Sequence, residues 1–350
     1  MQARLSVPRR LALVAGVAAA AVALASCGSS ADESAPDTTT DDATVAADVF
    51  PVTIPSALGD AVIDAKPERV VALGWGAADI ALSLGTVPVG VEIDTWAGDA
   101  DGYQPWFRAA VEAQGAELPA TIDMYPELDV EKIVGLEPDL ILATQSGIDQ
   151  ATFDQLSAFA PVVAYPGEAW ATSIEDQITI AAEALGVPDK AEATIAIGAD
   201  ALADAAAAHP EFAGKTFAYV YGGDQPGALS VYMPGDTRVT LLTDLGLVLA
   251  PSVANLPADP GSFVSTLGLE NADQLDDVDV LFTWFNDTDE QAATEAQPLW
   301  QQIPAFQAGA YLPMIDRPLG MAVSVATPLS IPWALDTYVP QIAEAVSHVS

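Results

Sequence analysis

Three aromatic residues stand at the ends of strand-like segments, where an α/β protein places its ligand site. Trp75 follows a short β-branched run, Tyr221 ends a second run, and Trp284 ends a later one. Ligands of open α/β sheets bind outside the carboxyl ends of the strands, and aromatic faces give such sites apolar walls. The spacing therefore predicts a ligand-binding site with aromatic walls. Packing in the core or against a loop is the alternative role for any one of these rings.

Further candidates come from loops and from one cation. Aromatic residues in or near predicted loops form a second group of ligand-binding candidates: Trp96, Tyr103, Tyr125, Trp170, Tyr232 and Trp333. Arg238 opens a predicted helix directly after the turn Gly235-Asp236-Thr237. A positive charge at a helix N-terminus is unfavourable by roughly a few tenths of a kcal/mol, which suggests that this arginine has another use. An exposed arginine of the first turn is the alternative.

The sequence gives little evidence for a metal site or for a catalytic site. The chain has two histidines and one cysteine, which excludes a zinc finger, an iron–sulfur site, a disulfide framework and a multi-histidine metal cage. His209 and His348 lie away from the strand ends, and no Gly-x-Ser-x-Gly or phosphate-binding glycine loop occurs. A hydrolase remains a remote alternative, because 49 acidic residues offer many carboxylate pairs.

Composition and charge place the chain among folded acidic proteins. It has 350 residues, 51% of them hydrophobic and 17% charged, with a net charge of −38. The apolar content suffices for a core, and the length suggests roughly two domains. So large a negative charge excludes nucleic acid as a partner, because few cations are available to displace phosphate counterions.

The N-terminus has the pattern of a secretory signal. Arg4, Arg9 and Arg10 precede the apolar run 11–25, which is shorter than the ~20 residues of a membrane-spanning helix. The run ends in Leu24-Ala25-Ser26-Cys27-Gly28, which resembles a bacterial lipobox. This resemblance implies that residues 1–26 are a lipoprotein signal peptide and that the Cys27 sulfur carries a diacylglycerol. The protein would then sit on the outer face of the cell membrane; an ordinary signal peptide with an incidental cysteine is the alternative.

Residues 27–49 are rich in Ser, Thr, Asp and Ala and predict a flexible tether. Removal of the signal peptide takes away three of the eleven basic residues and no acidic ones, so the net charge becomes −41. Eight cations then remain in the chain: Lys66, Arg69, Arg108, Lys132, Lys190, Lys215, Arg238 and Arg317.

Strand-like and helix-like segments alternate on either side of a long helical stretch. Short apolar runs predict strands at 69–73, 138–143, 162–165, 216–221 and 279–284, and helical periodicity falls between them. A helical pattern that is broken only at Gly186-Val187-Pro188 separates the two sets. The predicted fold is α/β, with two Rossmann-like lobes joined by one long connecting helix and a ligand cleft between them. We assign residues 50–172 to the N-terminal lobe, 173–212 to connecting helices and 213–350 to the C-terminal lobe.

Several of these segments, taken in order, resemble the ferric siderophore and vitamin B12 substrate-binding lipoproteins of ABC importers. The match spans roughly residues 50–347, and its motifs are Pro67–Leu73, Ala78–Leu82, Gly85–Val91, Val130–Leu142, Arg238–Leu247 and Leu269-Glu270 with Val278–Leu281. The resemblance implies two Rossmann-like lobes, a ferric chelate in the cleft, an import permease as partner, a monomeric protein and no enzymatic activity. It also implies that Arg238 hydrogen-bonds chelate oxygens and that Glu131 and Glu270 contact permease arginines. A first-turn glutamate favoured by the helix dipole is the alternative for each glutamate.

The charge of the chain narrows the expected ligand. Iron in a siderophore is saturated by the chelator, so neither protein metal ligands nor a cofactor is expected. A ferric triscatecholate is strongly anionic, and electrostatic steering would oppose its approach. A ferric trihydroxamate is neutral, or cationic where it carries a free amine, and we therefore expect a hydroxamate of the ferrioxamine type. Cobalamin and haem are the alternatives within this fold.

Overall fold

The computed structural model describes residues 49–223, 227–259 and 262–349. The predicted signal peptide, Cys27 and nearly all of the tether lie outside these residues. In the part of the chain that is described, none of the helices combines the length and apolar character needed to span a bilayer.

The N-terminal lobe is built on a parallel sheet of five strands in the order β5-β4-β3-β6-β7. Its strands β3, β6 and β7 are buried along their whole length, as expected where helices cover both faces of a sheet. A small antiparallel hairpin of β1 and β2 precedes it. The elements of this lobe are β1 Val52–Ile54, β2 Ala61–Ile63, β3 Val70–Ala72, α1 Ala77–Ser83, β4 Gly90–Glu92, α2 Pro105–Ala113, β5 Ala120–Ile122, α3 Val130–Gly135, β6 Leu140–Ala143, α4 Gln150–Ser157 and β7 Val162–Ala164.

Two helices connect the lobes. Ser173 caps the N-terminus of helix α5 (Ile174–Ala184), and its hydroxyl accepts a hydrogen bond from the Asp176 amide at 3.1 Å. Gly186 then takes a positive φ of 69°, a conformation that glycine adopts without strain. A short 3-10 turn at Pro188–Lys190 leads into the 18-residue helix α6 (Ala191–Ala208). The predicted long connection with its break at 186–188 is therefore confirmed.

The C-terminal lobe has a mixed sheet in the order β11-β9-β8-β12-β13, with β10 beside β8. Its elements are β8 Thr216–Tyr221, β9 Ala228–Tyr232, α7 Thr237–Asp244, β10 Val248–Leu249, α8 Pro251–Ala254, β11 Val264–Gly268, β12 Val280–Trp284, α9 Thr288–Glu295, α10 Pro304–Ala308, β13 Tyr311–Met314, α11 Arg317–Val325 and α12 Ser330–Ser347. Strands β9 and β11 run antiparallel to their neighbours. The alternation in the sequence indicates only parallel strands, but the connection from β8 to β9 is too short for a crossover helix.

Strand β8 separates two buried layers of this lobe and sets the side on which its aromatic residues lie. Phe217, Tyr219 and Tyr221 belong to one hydrophobic cluster, whereas Ala218 and Val220 belong to the cluster on the other face. This division follows from the two-residue period of a strand. It places the two tyrosines of β8 on the face that continues into the space between the lobes. The predicted architecture of two α/β lobes joined by a long helix is confirmed.

Candidate functional site

A cleft of about 510 Å³ lies between the two lobes. The β3–α1 turn, the β4–α2 loop and α2 supply its N-terminal wall, and residues of β8, β12, α7 and α11 supply its C-terminal wall. Most of these segments follow the carboxyl ends of strands, as in other open α/β proteins. The volume falls within the roughly 300–1,000 Å³ typical of small-molecule sites.

Trp75 lines the N-terminal wall from the tight turn between β3 and α1. Its backbone N–H donates to the Gln145 carbonyl at 2.9 Å. The preceding Gly74 has a φ of 83°, and a Cβ atom there would lie 2.4 Å from the same carbonyl oxygen, so the turn requires glycine. The Trp75 indole is 37% exposed and packs edge-on against Trp170 at a centroid distance of 5.5 Å. Trp170 thus supports Trp75 without lining the cleft itself.

Trp284 lines the opposite wall at the end of β12. The Tyr221 ring stacks on its indole at a centroid distance of 4.0 Å and an interplanar angle of 8°. The Trp284 Nε1–H donates to the Tyr232 hydroxyl at 2.9 Å. Because both tyrosines hold the indole in place, Trp284 offers the cleft a fixed apolar surface.

Arg238 also lines the C-terminal wall, although it is only 9% exposed. Its Nε and Nη2 donate to the two carboxylate oxygens of Asp236 at 2.8 and 2.6 Å. Asp236 also caps α7 by accepting from the Arg238 amide at 2.9 Å. The guanidinium lies over the Tyr232 ring at 4.1 Å. This bidentate pairing neutralises the cation in place and leaves Nη1 without a partner among the described residues.

The β4–α2 loop reaches across the cleft and joins the two walls through Trp96. The Trp96 Nε1–H donates to Asn286 Oδ1 at 2.8 Å, and its ring meets Trp284 edge-on at 5.8 Å. Arg317 lies over the Trp96 ring at 5.8 Å and donates from Nε to the Asn286 carbonyl at 2.8 Å. Trp96 is therefore a contact between the lobes as well as a lining residue.

Three carboxylates lie in the N-terminal wall. Asp79 Oδ2 accepts from Trp106 Nε1 and from the Thr327 hydroxyl, each at 2.6 Å, so it links α1 to the segment between α11 and α12. Burial raises the pKa of Asp79 to about 6, although these two hydrogen bonds oppose the shift.

Glu92 and Asp94 follow the end of β4. The Gly74 N–H donates to Glu92 Oε2 at 3.0 Å. Burial raises the pKa of Glu92 to about 7; the Gly74 hydrogen bond opposes this rise and the charge of Asp94 adds to it. Asp94 accepts from the backbone N–H groups of Trp96 and Ala97, both at 2.8 Å, and from the side-chain amide of Gln104.

The structure brings six of the sequence-predicted ligand-binding residues to the cleft lining: Trp75, Trp96, Tyr103, Tyr125, Arg238 and Trp284. Tyr125 is 65% exposed, whereas Tyr103 is buried. The other four candidates do not line the cleft and instead pack behind residues that do. Trp170 supports Trp75, Tyr221 and Tyr232 support Trp284, and Trp333 packs against Trp106 at 5.2 Å.

Sequence reasoning missed most of the other lining residues, among them Asp79, Glu92, Trp106 and Tyr219. Trp106 lies in α2, whose start at Pro105 and apolar spacing of Trp106, Phe107 and Val111 are signals for an amphipathic helix. Tyr219 could have been found from the alternation along β8. No local signal distinguishes Asp79 or Glu92 from the many other acidic residues.

The two predicted docking glutamates lie at the starts of short helices. Glu131 is exposed in the first turn of α3, and Glu270 is exposed at the start of the 3-10 segment Leu269–Leu275. Within residues 49–223, 227–259 and 262–349, no group of three His, Cys, Asp or Glu side chains is arranged to hold a metal ion.

Comparison with known proteins identifies similar folds and sequences. The family described as periplasmic binding protein matches residues 70–311. The crystal structure of PiaA from Streptococcus pneumoniae TIGR4 in complex with ferrichrome superposes with a TM-score of 0.78 and 31% identity, covering 85% of this chain and 100% of that one.

Two curated relatives are more distant in sequence. The achromobactin-binding periplasmic protein of Dickeya dadantii is 27% identical over 68% of this chain and 75% of its own length. The Fe(3+) dicitrate-binding periplasmic protein FecB of Escherichia coli is 24% identical over 75% of this chain and 82% of its own length.

Proposed function

Because the chain belongs to the periplasmic binding protein family, we propose that it captures a ferric siderophore in the cleft and delivers it to an ABC import permease. Proteins of this fold bind substrates and are not enzymes. The observation that carries the proposal is the aromatic cleft between the lobes, with Trp75 on one wall and Trp284 on the other. A ferric chelate is large and partly apolar, and it needs such walls and a few donors rather than metal ligands. The PiaA structure, which holds ferrichrome, supports the same ligand class.

The charge in the cleft favours a hydroxamate over an anionic chelate. Asp79, Glu92 and Asp94 lie in the lining, whereas its one described cation, Arg238, is already paired with Asp236. An anionic catecholate or carboxylate complex would meet net negative charge on entering. A neutral or cationic ferric trihydroxamate avoids this repulsion and can accept a hydrogen bond from Arg238 Nη1.

Quenching of tryptophan fluorescence tests this proposal directly, because Trp75, Trp96, Trp106 and Trp284 all line the cleft. The purified protein is titrated with a ferric trihydroxamate, a ferric triscatecholate, ferric citrate, cobalamin and haem. We expect saturable quenching by the trihydroxamate at the lowest concentration. Tight binding of the triscatecholate without binding of the trihydroxamate would overturn the hydroxamate assignment, and tight binding of none of the iron chelates would overturn the siderophore function.

We also propose that Cys27 anchors the mature protein to the outer face of the cell membrane. The lipobox-like Leu24–Gly28 segment supports this location, and one acyl chain gains about 0.8 kcal/mol for each buried CH₂ group. Cells that express the protein and take up a labelled fatty acid should label the wild type but not Cys27→Ser. Equal labelling of both proteins would refute the anchor.

Glu131 and Glu270 are proposed to contact the permease, one from each lobe, and the protein is proposed to act as a monomer. Both glutamates are exposed at the starts of short helices and lie outside the cleft lining. The double charge reversal Glu131→Lys/Glu270→Lys should abolish uptake of the labelled chelate while its affinity for the purified protein stays unchanged. Uptake at the wild-type rate would exclude this docking role.

A further inference from the structure

Resting on the siderophore-binding function proposed above, we propose that Glu92 makes the cleft selective for ferric siderophores that carry a protonated amine. An ammonium group on the bound chelate would donate a hydrogen bond to the Glu92 carboxylate while the chelate body lies against the aromatic walls. Glu92 is thus a specificity-determining residue for one chemical class within the ferric chelates.

The first step of the argument is the incomplete pairing of Glu92. Its Oε2 accepts a single hydrogen bond, from the Gly74 backbone N–H at 3.0 Å. Its Oε1 has no donor among the described residues, although the side chain lines the cleft near Trp75 and Tyr125. A partly buried carboxylate that lacks a donor is costly to keep ionised. A ligand that brings a positively charged donor removes this cost.

The second step is the absence of a compensating cation in the described part of the chain. Asp79 and Asp94 receive hydrogen bonds only from neutral groups. Nearby arginines are engaged elsewhere: Arg238 pairs with Asp236, and Arg108 pairs with Asp99 and Asp101. Arg317 donates to the Asn286 carbonyl, lies over the Trp96 ring and forms no ion pair with these carboxylates among the described residues. The negative charge of the N-terminal wall is therefore left for the ligand to balance.

A third observation extends the set of unused acceptors. Gln104 also lines the cleft, and its Nε2 must face Asp94 because a carboxylate accepts and does not donate. This orientation leaves Gln104 Oε1, which is buried, without a donor among residues 49–223, 227–259 and 262–349. The N-terminal wall thus offers carboxylate and amide oxygens in excess of donors, which suits an ammonium group with its three N–H bonds.

The protonation of Glu92 should reflect its surroundings. Burial raises its pKa to about 7, with the charge of Asp94 adding to the rise and the Gly74 N–H opposing it. Tyr125 faces Glu92, and the pKa of its hydroxyl is raised by burial and then by the charge of Glu92. Asp79 and Tyr103 are further titratable groups in this wall: the pKa of Asp79 is about 6, and burial raises the pKa of Tyr103. Below about pH 7, Glu92 becomes neutral and loses its attraction for an ammonium group, whose own pKa lies near 10.

The experiment compares ferrioxamine B, whose linear trihydroxamate ends in a free amine, with its N-acetyl derivative, which lacks the charge. We expect the wild type to bind the amine form about tenfold more tightly, the effect of one charge-assisted hydrogen bond. Glu92→Gln should lose this preference and bind the acetylated form as the wild type does. Glu117→Gln, which removes an exposed carboxylate outside the cleft, should keep the preference.

A pH series provides a second readout. From about pH 8 to about pH 6, affinity of the wild type for the amine form should fall, whereas affinity for the acetylated form should not. Equal wild-type affinity for the two forms, or an equal loss for both in Glu92→Gln, would overturn the role of Glu92 but leave the siderophore function intact. Failure of the wild type to bind either form, or any other ferric siderophore, would instead refute the proposed function and this inference with it.

Discussion

On the C-terminal wall of the cleft the buried cation Arg238 is matched by Asp236, whereas the carboxylates Asp79 and Glu92 on the N-terminal wall have only neutral donors. The same contrast holds for the aromatic residues. Trp284 is fixed by a stacked tyrosine and a hydrogen bond, while Trp75 is 37% exposed and has one edge-on contact with Trp170.

This contrast indicates a division of labour between the walls. The C-terminal wall balances its own buried charge and fixes its main aromatic ring, so it forms a preorganised surface whose shape does not depend on the ligand. The N-terminal wall keeps negative charge that only a ligand can balance. Selectivity for ligand charge should therefore come from the N-terminal wall, and most of the apolar binding energy from the C-terminal wall.

The largest effect should follow from breaking the matched pair on the C-terminal wall. Asp236→Ala leaves Arg238 buried without its partner and removes the cap of α7. Because an unpaired buried charge is strongly destabilising, we expect the free energy of unfolding to fall by about 3–5 kcal/mol in chemical denaturation. Asp273→Ala, which removes an exposed carboxylate of the same lobe, should change it by less than about 0.5 kcal/mol. Similar losses in the two variants would show that the pair is not structurally important.

Asp79 on the N-terminal wall has no cationic partner in the described part of the chain, and its effect on the free energy of unfolding should be smaller and should depend on pH. The pKa of an unperturbed aspartate is 3.8, whereas that of Asp79 in the folded protein is about 6, so the folded state binds more protons between these values. Raising the pH from about 3 to about 7 should therefore lower the contribution of this residue to stability by roughly 3 kcal/mol. Asp79→Asn cannot ionise but keeps an acceptor for Trp106 and Thr327.

The measurement is the difference in unfolding free energy between the wild type and Asp79→Asn across this pH range. We expect the variant to gain stability relative to the wild type as the pH rises. A difference that stays constant with pH would mean that Asp79 is not held in an environment that disfavours its charge.

The smallest effects should come from replacing the aromatic side chains of the cleft. The resulting losses of ligand affinity should show which wall contributes more apolar binding energy. Trp284→Ala should weaken binding of a ferric trihydroxamate by about 30-fold, near 2 kcal/mol, because a fixed apolar surface is lost. Trp75→Ala should weaken it by about tenfold, since Trp75 is more exposed. Phe159→Ala, at a half-exposed site outside the cleft, serves as the control in the same calorimetric titration. A greater loss for Trp75→Ala than for Trp284→Ala would contradict the division of labour.

Much of the fold could be predicted because its strands and helices produce recognisable patterns over a few neighbouring residues. The buried runs of β3, β6 and β8 and the break at Gly186 are visible as apolar and glycine signals over a few residues. Strand β9 was not predicted as a strand, and its antiparallel direction could not be read from its own residues, because the direction follows from the short connection after β8.

The site was predicted less completely than the fold. The strand-end rule found Trp75 and Trp284, both of which line the cleft. It also selected Tyr221, which stacks behind Trp284, because position at a strand end does not say which ring is outermost. The Trp96–Asn286 hydrogen bond joins residues 190 positions apart, so no local pattern could reveal that Trp96 links the two walls.

By itself, the sequence determined the α/β alternation, the long connecting helix, the aromatic residues at strand ends and a large excess of negative charge. Only the tertiary structure decided which of these charges are buried and compensated. Asp236 and Arg238 are close in sequence, but the fold buries their ion pair, whereas it partly buries Glu92 beside a backbone N–H and no cation within the described residues. Hydrophobic periodicity is a property of neighbouring residues, whereas the energy of a charge depends on its burial and on partners brought from distant parts of the chain. The overall acidity of the chain thus leads to a specific expectation: the N-terminal wall of the cleft should bind a ligand that carries a positive charge.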